Sequence, residues 1–143
     1  MIEERLMGID FGEKRIGIAV TDPLNMFAYP LVTLPRNPNF WHGLRSLISQ
    51  YSVVRIILGY PLKEDGGISF ITKNVLEFKG ELESKTGLKV ELVDERYSSS
   101  IAKQRIIESV ASKKKRRDKS LLDKNAACII LEDYLNTVQN KSG

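Results

Sequence analysis

The first twenty residues constrain the fold most. Leu6-Met7-Gly8-Ile9-Asp10-Phe11 and Ile16-Gly17-Ile18-Ala19-Val20 are apolar runs of strand length, and little more than Gly12-Glu13-Lys14 separates them. Two such runs joined by a short polar link form an antiparallel hairpin. A hairpin alone is marginal in water, so the rest of the chain has to supply further strands and a covering layer. Phe27 to Leu34 reads as a third, antiparallel strand, ended by Pro35-Arg36-Asn37-Pro38. Trp41 to Gln50 follows as a helix, with Trp41, Leu44, Leu47 and Ile48 at helical spacing. Val53 to Leu58 is apolar enough for a strand buried on both faces. Ile68 to Lys85 reads as a helix weakened by Gly80 and ended at Thr86-Gly87. Lys89 to Val93 is a strand, Ser98 to Val110 a helix, and Ser120 to Val138 the last helix.

A three-stranded meander followed by strands that alternate with helices predicts an α/β fold. Its mixed five-stranded sheet has an antiparallel start, parallel strands added through helices, and helices on both faces. That is the element order of an RNase H-like fold. The 143 residues suit one domain, spanning 1–143. No run approaches the ~18 apolar residues of a membrane span. The single cysteine, Cys128, fits a reducing compartment, and no basic leader precedes an apolar stretch. The expectation is a cytoplasmic protein with no membrane partner.

Three places in the chain carry acids that chemistry could use. Two of them have a plain structural alternative in their own element: Asp94 as cap of the next helix with Glu95 paired to Arg96 on the surface, and Asp123 as an acid near a helix N-terminus. Asp10 falls within the first strand, and alternation sets Leu6, Gly8, Asp10 and Gly12 on one face. Asp and Gly are both depleted from strands. Glycines on either side of a carboxylate predict open space above it, as a metal ion or phosphate backbone needs. Glycines that serve the hairpin turn are the plainer alternative. Asp94 and Glu95 follow the strand Lys89 to Val93, at the carboxyl end, where parallel sheets build their sites. Adjacent residues point to opposite sides, so one of the two enters a given site. Asp123 shares a helical stripe with Ala127, Ile130 and Tyr134, otherwise small or apolar. A carboxylate in line with a packing face is costly unless something pairs with it. Carboxylate clusters suit Mg2+ or Mn2+, hard ions that favour oxygen. His42 and Cys128 receive no role, and Asp22 or Asp94 is left as a possible fourth metal-binding acid.

Four blocks then resemble one family. They are Gly8-Ile9-Asp10-Phe11-Gly12-Glu13-Lys14-Arg15-Ile16-Gly17-Ile18-Ala19-Val20-Thr21-Asp22; Ile57-Leu58-Gly59-Tyr60-Pro61-Leu62 with Gly66 following; Val93-Asp94-Glu95-Arg96-Tyr97-Ser98-Ser99; and Asp123-Lys124-Asn125-Ala126-Ala127-Cys128-Ile129-Ile130-Leu131. In this order they resemble the YqgF family, also called RuvX-like, whose members bear the names Holliday junction resolvase and pre-16S rRNA nuclease. The resemblance implies an RNase H-like nuclease with a divalent metal and a nucleic-acid substrate, structured RNA or branched DNA. It puts the catalytic and metal-binding triad on Asp10, Glu95 and Asp123, and makes Arg15 and Arg96 candidates for phosphate contact. Lys63-Glu64-Asp65 departs from the more usual Asn-containing loop. Tyr97-Ser98-Ser99 departs from the more usual Leu-Thr-Thr but keeps a hydroxyl.

The net charge of +4 is uneven: residues 113 to 124 carry +5 and the rest −1. Lys113, Lys114, Lys115, Arg116 and Arg117 thus form a basic cluster shortly before Asp123, placed to hold a nucleic-acid backbone. Two rivals stand beside the nuclease. An actin-like phosphotransferase opens with a similar hairpin but needs two such domains around its nucleotide. A nucleic-acid-binding protein without catalysis needs only the basic cluster. A Holliday junction takes two symmetric cuts and so favours a homodimer, whereas trimming an RNA end suits a monomer. Neutralising Lys113 to Arg117 is expected to weaken nucleic-acid binding at every sequence. It should also flatten the plot of log affinity against log salt by about 0.7–0.9 for each phosphate no longer neutralised. Filter binding across a salt series measures this, and an unchanged slope would remove the cluster from the interface.

Overall fold

The computed structural model describes residues 4–12, 14–60, 70–94 and 119–142. Its strands are β1 (Arg5–Asp10), β2 (Arg15–Thr21), β3 (Ala28–Pro35), β4 (Val53–Tyr60) and β5 (Lys89–Asp94). Its helices are α1 (Phe40–Gln50), α2 (Phe70–Thr86) and α3 (Lys119–Ser142). The strands form one sheet in the order β3-β2-β1-β4-β5. β1 pairs antiparallel with β2, and β2 with β3; β1 pairs parallel with β4, and β4 with β5. The mixed five-stranded sheet expected from the sequence is therefore present. The expected helix Ser98 to Val110 lies outside the described residues, as do the loop 61–69 and the basic cluster.

Alternation divides the side chains between two cores. Met7, Ile9, Ile16, Ile18, Val20, Ile56 and Leu58 point to one face, where Phe40 and Leu44 of α1 and Val75, Phe78 and Leu82 of α2 cover them. Ala19 and Ile57 point to the other, where Ala127, Ile130 and Leu131 of α3 cover them. β1 and β4 are central and covered on both faces, which is why β4 reads as a continuous apolar run. At the end of α2, Gly87 adopts φ +72° and its N–H donates to Glu83 O at 3.0 Å, closing the helix where the Thr86-Gly87 pair predicted.

The second core is thin because glycine allows it. A Cβ on Gly8 would lie 2.7 Å from Ala127 O and 3.0 Å from Leu131 Cβ. The backbone of α3 therefore rests on the backbone of β1. Ala126 and Ala127, 1% and 0% exposed, keep the helix face low enough for this. Farther along, Arg55 Nη1 donates to Tyr134 Oη at 3.2 Å and to Glu91 Oε1 at 3.1 Å, tying α3 to β4 and β5.

Gly8→Ala is expected to destabilise the protein by about 1–3 kcal/mol, since the methyl group has to displace backbone. Gly80→Ala in α2 meets nothing within 4 Å and is expected to stabilise by about 0.5–1 kcal/mol. Urea denaturation of the two variants checks both signs, and a neutral Gly8→Ala would mean that the helix does not seat as described.

Candidate functional site

β1, β4 and β5 run parallel, so their carboxyl ends share one edge of the sheet. Asp10 is the last residue of β1, and Asp94, the last of β5, is in register with Tyr60, the last of β4. Asp10 thus closes its strand rather than standing mid-strand, because the chain turns at Gly12. Two strand spacings, about 10 Å in all, separate the ends of β1 and β5. Glu95 is bonded directly to Asp94; its own placement lies outside the described residues.

α3 brings the third acid. Ala127 sits over Gly8, and Tyr134 reaches Arg55, which pairs with Leu6. From Ala127 to Tyr134 the helix therefore runs back along β1, antiparallel to it. Asp123 is one turn before Ala127, about 6 Å along the helix axis. Asp10 is two residues beyond Gly8, about 6.6 Å along the strand. The two displacements point the same way and nearly match, so the backbone of Asp123 stands above the end of β1 that carries Asp10. Ala127 and Ile130 are fully buried and Tyr134 packs against them, as the stripe predicted.

The room expected from the glycines of Asp10's own strand is not where the sequence suggested. The space at Gly8 is filled by α3, and a Cβ on Gly12 would lie 2.3 Å from Arg15 O inside the turn. Instead, glycine flanks Asp10 across the sheet. Gly17 is its partner on β2, and Gly59 follows Leu58, the β4 partner of Ile9. Neither contributes a side chain next to the half-buried Asp10. Arg15 lies on the same sheet face as Asp10, two residues from Gly17. Arg96 and Lys113, Lys114, Lys115, Arg116 and Arg117 lie outside the described residues. No cluster of three metal-ligating side chains occurs among the described residues.

Asp22 drops out as a possible metal-binding acid. It follows β2, at the opposite edge of the sheet from Asp10. Its Oδ1 accepts from the backbone N–H groups of Phe27 and Met26, both at 2.7 Å, and its Oδ2 from Leu24 at 3.2 Å. The Phe27 N–H, with help from Met26 and Leu24, holds its carboxyl below the ordinary carboxylate range. Next to it, Asn25 adopts φ 55°, a conformation asparagine tolerates. The amide of Asn25 donates to Glu4 O at 2.8 Å and accepts from the Thr21 hydroxyl. This acid organises the β2–β3 turn.

Comparison with known proteins decides the family. The model of the RuvX family, described as Holliday junction resolvase, matches residues 4–137. This chain belongs to the RuvX family. A relative from Desulfitobacterium hafniense named "Putative pre-16S rRNA nuclease" is 37% identical over 139 residues, covering 97% of this chain and 96% of its own. One of the same name from Chlorobaculum tepidum is 40% identical over 139 residues, covering 94% of each. Among solved structures, T. thermophilus RuvC in complex with Holliday junction substrate superposes with a TM-score of 0.56 at 14% identity, covering 94% of this chain and 96% of that one. The Fowlpox virus resolvase bound to Holliday junction DNA gives 0.54 at 14%, covering 94% and 98%. At such identity these structures establish the fold, which is RNase H-like, as the RuvX chain's element order implied.

One prediction concerns Asp22. A carboxyl whose folded pKa is depressed stabilises the fold above its unfolded value, and that contribution is lost as pH falls through the folded one. Asp22→Ala is therefore expected to lower stability at pH 7 and to lose that deficit progressively below about pH 4, near the ordinary aspartate value. Denaturation of both proteins at several pH values reads this, and a deficit independent of pH would deny the charged turn.

Proposed function

We propose that this RuvX chain is a divalent-metal-dependent nuclease that hydrolyses phosphodiester bonds in the 5′ end of pre-16S rRNA. The observation that carries it is the convergence of β1's terminal Asp10, the β5 end that leads into Glu95, and the α3 turn bearing Asp123. A carboxylate at the end of β1, on the same sheet edge as the end of β5 and below the first turns of α3, supports that reading. Full-length relatives bearing the pre-16S rRNA nuclease name favour that substrate.

The residues suit a hard ion. Carboxylates offer only oxygen acceptors, and the in-sheet neighbours of Asp10 contribute no side chains beside it. Asp10, Glu95 and Asp123 would hold Mg2+ or Mn2+. Such ions lower the pKa of a bound water and offset charge on the leaving oxygen of a phosphodiester. The chain's own contribution is orientation. Strand ends in one sheet and the seated α3 would hold the acids in place before substrate arrives, so that alignment is not purchased at the moment of reaction. Arg15, on the same face as Asp10, binds a phosphate oxygen, and the basic cluster 113–117 binds nucleic-acid backbone. No histidine or cysteine is required, and the buried Cys128 stands at the other end of the strands, its Sγ donating to Ala28 O at 3.4 Å.

A second reading, cleavage of junction DNA, is favoured by the family description. It calls for two active sites and so for a homodimer, whereas RNA trimming calls for one.

Asp10→Asn, Glu95→Gln and Asp123→Asn are each expected to lower cleavage at least about a hundredfold, more than loss of a residue that merely supports a metal ligand. Gel assays on precursor rRNA and on four-way junction DNA, with and without chelator, measure this. Wild-type rates in all three variants, or cleavage in excess chelator, would overturn the metal mechanism. Cutting of the junction in preference to the RNA would move the substrate to the second reading.

A further inference from the structure

The sheet face opposite α3 carries a cavity that the triad does not use. About 200 Å3 of space opens between the β3–α1 turn and α2, lined by Arg36, Asn37, Phe40, Trp41, Phe78 and Glu81. The rings form one aromatic wall. Phe40 lies 5.0 Å from Trp41 and 6.0 Å from Phe78, and Trp41 lies 5.8 Å from Phe78, centroid to centroid. Phe11 extends this wall to the catalytic edge: its ring is 4.9 Å from Phe78, and the Arg36 guanidinium lies 4.7 Å from its centroid. Phe11 is the residue after Asp10, about 3.8 Å away along the backbone. Arg36 is held at this edge by its N–H, which donates to Lys14 O at 2.9 Å.

We propose that this cavity receives one unpaired base of the substrate strand, next to the bond cut at Asp10. The proposal rests on the nuclease reading and names how that site selects its strand. An engineered apolar cavity of about 150 Å3 accepts benzene, so the volume here suits one planar ring system. The planes a base can stack on are those of partly exposed Trp41, whose ring Lys85 Nζ approaches at 5.2 Å, and the exposed Arg36 guanidinium. The buried rings of Phe40 and Phe78 back them from the core. Around the rim, the Asn37 amide nitrogen donates, its Oδ1 also accepting from Asn39 N–H at 2.9 Å, while Arg36 donates and Glu81 accepts, which meets the hydrogen-bonding edge of a base rather than a bare phosphate. A base inside a duplex presents neither its faces nor its pairing edge. The cavity therefore discriminates for single-stranded or unpaired substrate within a strand's reach of the acids.

Trp41 is the only tryptophan, so its fluorescence reports on this cavity alone. The full chain in excess chelator is titrated with a short oligoadenylate, and with the same oligomer annealed to its complement. Saturable quenching is expected with the single strand, with affinity at least about tenfold weaker for the duplex. Arg36→Ala is expected to weaken single-strand binding about tenfold while melting like wild type, and Arg36→Lys should not restore it, because an ammonium lacks the planar face. Full rescue by lysine would reduce Arg36 to a phosphate contact and overturn the base pocket. So would bound oligomer, seen by anisotropy, that leaves Trp41 unquenched. Cleavage that persists without quenching removes the pocket and leaves the nuclease. Quenching by a chain that cuts no substrate keeps the pocket and removes the nuclease.

Discussion

The contact between α3 and β1 at Gly8 sets the height and direction of everything above the sheet. With the Ala127 carbonyl 2.7 Å from where a Cβ would stand, no residue but glycine lets the helix backbone rest there. A helix raised by one side-chain layer would carry the backbone of Asp123 away from the end of β1 that bears Asp10. The Arg55–Tyr134–Glu91 bonds fix the other end of the helix against β4 and β5. Partly exposed ion pairs contribute little stability individually. Their use here is directional: they hold α3 antiparallel to β1, with its first turns above the carboxyl edge.

The sheet itself divides labour between its faces and edges. One face holds the larger core under α1 and α2, with the aromatic cluster beside the end of β1. The other holds the thin core under α3, and Asp10 and Arg15 share that face. The opposite edge is stabilised by a different use of carboxylate, where Asp22 accepts three turn N–H groups and Thr21 and Asn25 tie the hairpin to Glu4 and Leu6. An acid whose oxygens are taken up by backbone N–H groups is committed to the turn. Asp10 lies at the other end of the strands, at the close of β1, with Gly17 beside it on β2 and Gly59 near it on β4. The RuvX relatives match nearly the full length of this chain, so this division spans the region they share.

The sequence by itself determined the elements and the partition of the cores. The alternation in β1 and β2, the doubly apolar β4, the Thr86-Gly87 stop and the Ala127–Ile130–Tyr134 stripe are local patterns, and local backbone geometry turns them directly into strands, a helix end and a packing face. Asp10 and Asp123 stand out in the sequence for the same reason, as charges out of place in such patterns. Glu95 was chosen over Asp94 by family resemblance, since two adjacent acids after a strand carry no periodic signal between them. Tertiary structure decided what depends on distant residues meeting. It filled the space at Gly8 with a helix and flanked Asp10 with Gly17 and Gly59 from neighbouring strands. It committed Asp22 to a turn at the wrong edge, and set Arg36 and Trp41 against Phe78 around one cavity, with Phe11 in ring contact with Phe78. The three segments that carry them are apart in the chain and read individually as core or loop. Only the pairing of β1 with both β2 and β4, and the packing of α1 and α2 on the same face, brings them within reach of one another.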